Sequence, residues 1–298
     1  MWYFSKVYIE MVFFIERLKW FFIMAYEIIV LDLDGTLTNS QKEITPKTKE
    51  ALLKIQEKGE TVVLASGRPT PGIVNLAEEL NLKENGGYIL SFNGAKAINC
   101  KTREIVLNET IPTKFIADIY LSALEYGVGI LTYTENEIIA GNGIDDYCRL
   151  ESKINHLPLR RKDNFLDFIE FPVNKFLMTG EPELILEVQK KLKNHFEGKL
   201  NIFRSEPFFL EIMPPSIDKA ASLNKILTYL GKEKNQMICC GDGFNDVSMI
   251  KLAGLGVAME NAQDEVKKSA DYITYSNDED GIAHVIEKFM LKGKTWQH

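Results

Sequence analysis

Short apolar strands that alternate with helices constrain the fold of this chain more than any other feature of its sequence. IIVL (28–31), TVVLA (61–65) and YILSF (88–92) are apolar runs, typical of strands buried on both faces of a sheet. Between the first two runs, Thr45 and Pro46 provide a cap and a first turn for a helix. This order of elements predicts an α/β fold in which parallel strands are joined by right-handed crossovers.

The alternating pattern is interrupted once and then returns. Further core strands are predicted at FFLEI (208–212), QMICC (236–240), LGVAM (255–259) and YITY (272–275), with helices over 218–230 and 244–253. The stretch between begins with the hairpin signal Asn93-Gly94 and mixes short strands such as VGILTY (128–133) with helices at 112–126 and 181–195. The sequence therefore predicts a core built from 24–92 and 208–298, with an α+β domain inserted over 93–207.

The first 23 residues differ from the rest of the chain. They are crowded with aromatic residues, but charged residues interrupt them, so that no uncharged run approaches the ~20 residues of a spanning helix. They also lack the basic start, unbroken apolar centre and small-residue cleavage site of a signal peptide. A helix lying on a membrane surface is one interpretation. The favoured one is an extension without function, so that the working protein begins at Met24.

Composition excludes several classes of protein. With 298 residues, of which 45% are hydrophobic and 26% charged, the chain can bury a sizeable core in one large domain or two. A net charge of −7 argues against a nucleic-acid partner, which would require a basic surface. The four cysteines show neither the spacing of a disulfide framework nor a C-x-x-C zinc site. A reducing, cytoplasmic location is expected.

Polar residues follow the predicted core strands at the points where the strands end. The first strand is followed by Asp32, Asp34, Gly35 and Thr36, the second by Ser66, Gly67 and Arg68, and the strand at 236–240 by Gly241, Asp242, Gly243, Asn245 and Asp246. Ligands of doubly wound sheets bind at the carboxyl ends of the strands, so these loops form the candidate site. Up to four carboxylates in one cleft require a hard cation, and the absence of His or Cys from these loops points to Mg²⁺.

Other residues of these loops suit phosphate. Ser66 and the backbone N–H of Gly67 are expected where a helix starts, which is a natural binding point for an oxyanion. Lys219, at the start of the helix over 218–230, could add the positive charge that a transferring phosphoryl group needs. Each feature alone has an ordinary interpretation as a turn or a solvated helix residue. Only their combination favours a functional site.

Four segments carry a family resemblance. DLDGT (32–36), SGRP (66–69), Lys219 and GDGFNDVSM (241–249) resemble, in order and spacing, the signature segments of the haloacid dehalogenase superfamily. The tail GLGVAMENAQDEVKKSADYIT (254–274) is similar to the Cof-type sugar-phosphate phosphatases in particular. The resemblance covers nearly all of 25–298. It implies a Rossmann-like parallel-sheet core, with a cap of the second class inserted where 93–207 lies.

The resemblance also implies an activity and a role for each matching residue. The activity is Mg²⁺-dependent hydrolysis of phosphate esters through an aspartyl phosphate. Asp32 would be the nucleophile and Asp34 the general acid/base, while Ser66, Gly67, Lys219 and Asn245 would contact phosphate. The metal ligands would be Asp32, the backbone carbonyl of Asp34, and Asp242, with Asp246 in support. One departure is that PPSIDKAASL (214–223) has Ser216 and Ala220 where relatives usually carry glycine.

Three other functions compete with that of a phosphatase acting on small phosphorylated metabolites. A phosphomutase would use the same core and return the phosphoryl group to its substrate. A receiver-like signalling module also phosphorylates an aspartate, but its single domain of about 120 residues leaves no place for the 115-residue insertion. A nucleotide-binding oxidoreductase fits less well, because GDGFND lacks the G-x-G-x-x-G spacing. The sequence does not name the substrate, because the leaving-group contacts would lie in the insertion.

Overall fold

The structure is a computed structural model, and it describes residues 26–215 and 217–291. These residues form two β-sheets. The strands are β1 (Ile28–Leu31), β2 (Thr61–Ala65), β3 (Tyr88–Ser91), β4 (Lys96–Asn99), β5 (Ile105–Asn108), β6 (Gly129–Tyr133), β7 (Ile138–Ala140), β8 (Leu159–Arg161), β9 (Phe176–Thr179), β10 (Asn201–Glu206), β11 (Phe209–Met213), β12 (Met237–Gly241), β13 (Leu255–Ala258) and β14 (Tyr272–Ile273). The expectation for residues 1–23 falls outside the described residues.

Helices connect most of these strands. They span Pro46–Glu57, Pro71–Glu79, Leu82–Asn85, Ile116–Tyr126, Asp146–Asn155, Phe165–Phe168, Pro182–His195, Lys219–Leu230, Val247–Leu252, Asp264–Ser269 and Gly281–Ile286. Side-chain caps fix several starts: Thr45 accepts the N–H of Thr48, and Asp218 accepts the N–H of Ala221 at 2.6 Å. The capped helix at Lys219 begins at the position where the sequence predicts it, within one residue.

The larger sheet has eight strands in the order β14-β13-β12-β1-β2-β3-β4-β5. Its strands are parallel from β14 to β3, and β4 and β5 continue it as antiparallel strands. Alternate residues of β1 face opposite layers: Ile29 and Leu31 pack with the helices Pro46–Glu57 and Gly281–Ile286, and Ile28 and Val30 with the helix Lys219–Leu230. The predicted doubly wound, Rossmann-like core is confirmed.

The smaller sheet has six strands in the order β10-β11-β9-β6-β7-β8. Its pairs are antiparallel except for β7 and β8. One face packs against the helices Ile116–Tyr126 and Pro182–His195. The opposite face shares an apolar cluster with Phe92 and Ala95, which lie between β3 and β4. The smaller sheet is therefore seated on the β3–β4 turn of the larger one.

The division at 93 and 207 drawn from the sequence does not coincide with the change of sheet. The strands β4 and β5, placed in the insertion by the sequence, extend the eight-stranded sheet, and β11, predicted as a core strand, lies inside the six-stranded one. The prediction for 208–212 is wrong in this respect. An apolar run buried on both faces looks the same in either sheet, because periodicity reports burial and not the neighbouring strand.

Two smaller differences concern helix starts. The sequence predicts that Ser66 and Gly67 lie where the helix after β2 starts. That helix begins at Pro71, so both residues lie in the loop before it. The helix predicted over 244–253 begins with a 3₁₀ turn, Phe244–Asp246, before Val247–Leu252. No helix within the described ranges is both long and apolar enough to span a bilayer.

Candidate active site

The carboxyl edge of the eight-stranded sheet gathers the predicted residues in one cleft of about 270 Å³. Its lining includes seven of them: Asp32, Asp34, Ser66, Gly67, Asp242, Asn245 and Asp246. The eighth, Lys219, is buried beside the floor of the cleft, where it contacts Asp32 and Asp246. The strands β1, β2 and β12 are neighbours, so their terminal loops necessarily meet.

The Lys219 ammonium is the centre of this floor. Its Nζ donates to Asp32 Oδ1 at 2.5 Å, Asp246 Oδ1 at 2.6 Å and the carbonyl of Ala65 at 2.9 Å. Burial disfavours the charged ammonium, but the carboxylates of Asp246 and Asp32 outweigh that effect and raise the pKa of Lys219. The lysine is therefore charged, and one oxygen of Asp32 is held in a fixed direction.

Three carboxylates converge beside the lysine. Ligand oxygens of Asp32, Asp242 and Asp246 lie within 4.8 Å of one another. Burial, followed by repulsion from Asp246, raises the pKa of Asp32, and burial raises the pKa of Asp242 to about 6. Three mutually repelling oxygen donors in a buried floor fit a hard divalent cation, which would neutralise them.

Asp246 is more fully engaged than the other two carboxylates. Its Oδ1 accepts from Lys219, and its Oδ2 accepts the backbone N–H groups of Asp242 at 3.0 Å and Gly243 at 2.9 Å. A cation that reached Asp246 would compete with these donors. The contacts of Asp246 therefore hold the lysine and the Asp242 loop in place.

The turn after β1 brings Asp242 against the β1 loop. Thr36 Oγ1 donates to Asp242 Oδ1 at 2.7 Å. Gly35 has φ +87°, and a Cβ at that residue would overlap the Asp242 carboxylate. Gly35 and Thr36, the last two residues of the motif DLDGT (32–36), are thus required by the close approach of the two acidic loops.

Asp34 lies apart from the three converging carboxylates and pairs with Arg68. The guanidinium donates from Nε to Asp34 Oδ2 at 2.8 Å and from Nη2 to Oδ1 at 2.6 Å, and Lys42 Nζ also reaches Oδ1, at 2.9 Å. Burial would raise the pKa of Asp34, but the hydrogen bonds and charge of Arg68 and Lys42 together lower it. Sequence reasoning placed Arg68 in the loop but gave it no role.

A polar chain links the cleft to the six-stranded sheet. Asn245 Nδ2 donates to Asn93 Oδ1 at 3.1 Å, and Asn93 Nδ2 donates to Glu211 Oε2 at 3.2 Å. Lys175 Nζ lies 3.4 Å from Glu211 Oε1 and donates to the carbonyl of Gly67 at 3.2 Å. Neither Lys175 nor Glu211 was predicted. The insertion holds too many polar residues for Lys175 to stand out in sequence, and Glu211 lies in the run FFLEI, which the sequence places in the core.

The departure from glycine near Lys219 has little effect at Ala220. Ala220 is the second residue of the regular helix Lys219–Leu230, where no glycine is needed. Ser216 lies outside the described residues.

A parallel α/β sheet whose carboxyl edge carries an acidic cluster, a buried lysine and a covering second sheet defines a class of phosphoryl-transfer enzyme. The family model described as haloacid dehalogenase-like hydrolase matches residues 29–286. The chain belongs to this family, which confirms the resemblance seen in its motifs. It is a phosphoric monoester hydrolase, and the receiver-module alternative is therefore wrong.

Relatives agree over most of the chain. The 5-amino-6-(5-phospho-D-ribitylamino)uracil phosphatase YcsE of Bacillus subtilis is 30% identical, over 89% of this chain and 96% of its own. The crystal structure of a haloacid dehalogenase-like hydrolase from Bacteroides thetaiotaomicron is 49% identical, with a TM-score of 0.86 over 88% of this chain and 99% of its own. The subclass IIB sugar phosphatase BT4131 is 25% identical, with a TM-score of 0.73 over 88% and 98%.

Proposed function

We propose that this protein is a Mg²⁺-dependent phosphatase that hydrolyses small phosphorylated sugars through an aspartyl-phosphate intermediate. The observation that carries the proposal is the contact of Lys219 Nζ with Asp32 Oδ1 inside the acidic cluster. It leaves Asp32 Oδ2 as the oxygen available for attack on phosphorus. A subclass IIB sugar phosphatase with the same fold supports the choice of substrate.

The residues of the site divide the reaction into two steps. In the first, Asp32 Oδ2 forms a bond to phosphorus while the bond from phosphorus to the ester oxygen breaks, and Asp34 gives its proton to the departing alkoxide. In the second, water attacks the aspartyl phosphate, Asp34 takes its proton, and phosphate is released from Asp32. Lys219, Ser66, the N–H of Gly67 and Asn245 would contact the phosphoryl oxygens.

The acidic cluster would hold the metal ion. Asp32, Asp242 and the backbone carbonyl of Asp34 would be its ligands, with Asp246 in support. When bound, Mg²⁺ offsets the repulsion between the anionic nucleophile and the anionic ester. The four cysteines, all unpaired, support a cytoplasmic location.

Release of inorganic phosphate from a sugar phosphate, with Mg²⁺ and with EDTA, tests the proposal. We expect turnover that requires Mg²⁺ and that falls by roughly 10³-fold or more in Asp32→Asn, because an amide is a poor nucleophile. Chromatography of the same reaction separates hydrolysis from the phosphomutase alternative. An isomerised sugar phosphate without free phosphate would contradict the proposal, as would near wild-type turnover by a folded Asp32→Asn protein.

The covalent intermediate has its own test in Asp34→Asn. With an activated aryl phosphate the first step needs no proton donor, whereas the second step still lacks its base. A phosphorylated enzyme should therefore accumulate, and rapid-quench mass spectrometry should find one added phosphoryl group on the peptide that contains Asp32. Absence of that group, together with wild-type rates on sugar phosphates, would leave Asp34 as a structural turn residue.

A further inference from the structure

The loop that follows β2 has two successive peptide groups whose carbonyl oxygens are held by donors from elsewhere in the chain. The Ser66 carbonyl accepts the backbone N–H of Asn93 at 2.9 Å, and the Gly67 carbonyl accepts from Lys175 Nζ at 3.2 Å. In a trans peptide group the N–H points away from the C=O, so each contact also fixes the direction of the N–H that follows. These two N–H groups belong to Gly67 and Arg68.

The N–H of Arg68 determines how the Ser66 hydroxyl is used. It donates to Ser66 Oγ at 3.1 Å, so that oxygen acts as an acceptor and the hydroxyl keeps its own hydrogen for another partner. The Ser66 side chain is buried and lines the cleft, and it gives no hydrogen bond to any other described residue. Such a hydroxyl is a directed donor, which suits a phosphoryl oxygen in the cleft.

Lys175 is itself held in place by residues of the smaller sheet. It precedes β9 and is 3% exposed. Its Nζ lies 3.4 Å from Glu211 Oε1, on β11, and 5.2 Å from the centre of the Tyr133 ring, on β6. A carboxylate and the face of an aromatic ring are both favourable neighbours for an ammonium group. The smaller sheet thus presents a fixed, charged donor to the backbone of the Ser66 loop.

The contact of Lys175 with the loop affects hydrogen-bond strength as well as position. An ammonium polarises the carbonyl that accepts its hydrogen bond, and the N–H of the same peptide group becomes a better donor. Here the chain of contacts runs from Lys175 through the Gly67–Arg68 peptide group to Ser66 Oγ. A hydroxyl oxygen that receives a stronger hydrogen bond makes its own hydrogen a stronger donor. The ammonium therefore favours both the direction and the strength of the bond that Ser66 can give.

We propose that Lys175 is a positioning residue, which acts through the Gly67–Arg68 peptide group and Ser66 to tighten binding of the phosphoryl group. This inference rests on the proposed phosphatase function and deepens it. Because the lysine belongs to the smaller sheet and the loop to the larger one, the affinity for phosphate then depends on how the two sheets are seated on each other.

Inhibition by inorganic phosphate tests the inference, because this ion has no leaving group for the smaller sheet to contact. Its inhibition constant is measured against hydrolysis of an aryl phosphate by the full chain with Mg²⁺. We expect Lys175→Met, which keeps a long side chain without the ammonium, to raise that constant about three- to tenfold, part of the worth of a charge-assisted hydrogen bond. An unchanged constant would overturn the inference and leave the proposed function standing.

Two further variants exclude indirect effects of the substitution. Lys191→Met is the matched control: Lys191 is exposed and lies over the Tyr126 ring at 4.6 Å, so the constant should not change. Lys175→Met combined with Glu211→Gln removes both charges of the buried pair, and the new amide oxygen can still accept from Asn93 Nδ2. This double variant should bind phosphate as weakly as Lys175→Met, and it supplies the result if the single variant does not fold. Wild-type affinity in the double variant would assign the effect to the unpaired carboxylate and overturn the inference.

A double-mutant cycle shows whether the lysine acts through Ser66. Ser66→Ala should weaken phosphate binding by itself, because it removes a proposed phosphate contact. In that background Lys175→Met should raise the inhibition constant by less than about twofold, since the chain of hydrogen bonds already lacks its last member. A further loss as large as in the wild type would mean that Lys175 reaches phosphate by another route, and would overturn the inference. Failure to release phosphate from any ester, including an aryl phosphate, would overturn the proposed function and the inference with it.

Discussion

At the residue scale, the two aspartates of the motif DLDGT (32–36) occupy different electrostatic surroundings. Asp32 is buried among other carboxylates and held by Lys219, whereas Asp34 is half-exposed and held by Arg68. The pKa of Asp32 is raised by burial and by Asp246, and the pKa of Asp34 is lowered by Arg68 and Lys42 against the effect of burial. Two carboxylates two residues apart thus acquire opposite pKa shifts. The proposed roles need the reverse balance, so a bound cation would have to ionise Asp32, and the negative charge of the phosphoryl group would have to raise the pKa of Asp34.

The Arg68 contact should set the pH range in which Asp34 acts as an acid. A general acid works only below its pKa, and the charge and hydrogen bonds of Arg68 lower the pKa of Asp34, so Arg68→Gln should raise it. The basic limb of the kcat/KM profile for a sugar phosphate should move to higher pH. Lys42→Gln is the matched control: Lys42 also contacts Asp34 but is 59% exposed, so its shift should be much smaller. Identical limbs in wild type and Arg68→Gln would exclude this role.

Asp242 should make metal binding depend on pH. Its pKa of about 6 means that a cation must displace a proton below pH 6 but not above pH 7. The apparent Mg²⁺ affinity, measured by titration calorimetry, should therefore fall about tenfold per pH unit below 6 and be level above 7. Asp242→Asn should weaken binding at every pH and flatten this dependence. An affinity that stays the same from pH 8 to pH 5 would remove Asp242 from the metal site.

At the element scale, the loop after β1 needs a glycine at position 35, because the neighbouring loop that carries Asp242 leaves no space for a Cβ there. Gly35→Ala places a methyl group against the Asp242 carboxylate and in a left-handed backbone conformation. We expect a loss of roughly 1–2 kcal/mol in unfolding free energy and, in addition, weaker Mg²⁺ binding, because Asp242 must move. Gly59→Ala is the control, because Gly59 has the same φ of +87° with nothing within 4 Å of the added Cβ.

These two variants separate backbone strain from the contact with Asp242. Chemical denaturation should show a loss of stability for both, larger for Gly35→Ala because its methyl group also meets the Asp242 carboxylate. Only Gly35→Ala should require more Mg²⁺ for half-maximal activity. An equal metal requirement in the two variants would mean that Gly35 serves the turn alone.

Elements also show where prediction from sequence succeeds and fails. The strands β1, β2 and β12 and the polar loops that follow them were predicted, because buried apolar runs and terminal polar residues are local signals. The sheet to which β11 belongs was not, since strand pairing is a long-range property. A role for Arg68 could have been predicted from its position in the loop that contains Ser66. The pairing of Lys175 with Glu211, which lie 36 residues apart, has no local signal in the sequence.

At the scale of the whole molecule, each sheet has apolar layers of its own. Two clusters contain only residues of the eight-stranded sheet and its helices, and a third belongs to the six-stranded sheet. The fourth cluster joins them through Phe92 and Ala95. The chemistry proposed for Asp32, Asp34 and Lys219 lies on the first unit, and the second contributes the opposite side of the cleft.

This division predicts that the larger sheet keeps its chemistry when the smaller one is removed. All strands of the eight-stranded sheet lie outside 110–214, and Glu109, at one cut end, pairs with Lys225 of the helix Lys219–Leu230 at 2.6 Å. Replacing 110–214 with a short Gly-Ser linker should preserve slow, Mg²⁺-dependent hydrolysis of an aryl phosphate. The rate should fall because the cleft loses the cover that excludes water.

Selectivity should disappear from the shortened protein, because the residues that 110–214 contributes to the cleft are gone. We expect kcat/KM for sorbitol 6-phosphate and n-hexyl phosphate to become equal within about threefold, because the shortened protein has lost the side chains that could hydrogen-bond to the sugar hydroxyls. Circular dichroism and a cooperative thermal transition verify that the remaining sheet is folded, since Phe92 and Ala95 lose their apolar neighbours. A folded, active protein that still prefers the hydroxylated ester would place specificity on the eight-stranded sheet and contradict the division of labour between the two sheets.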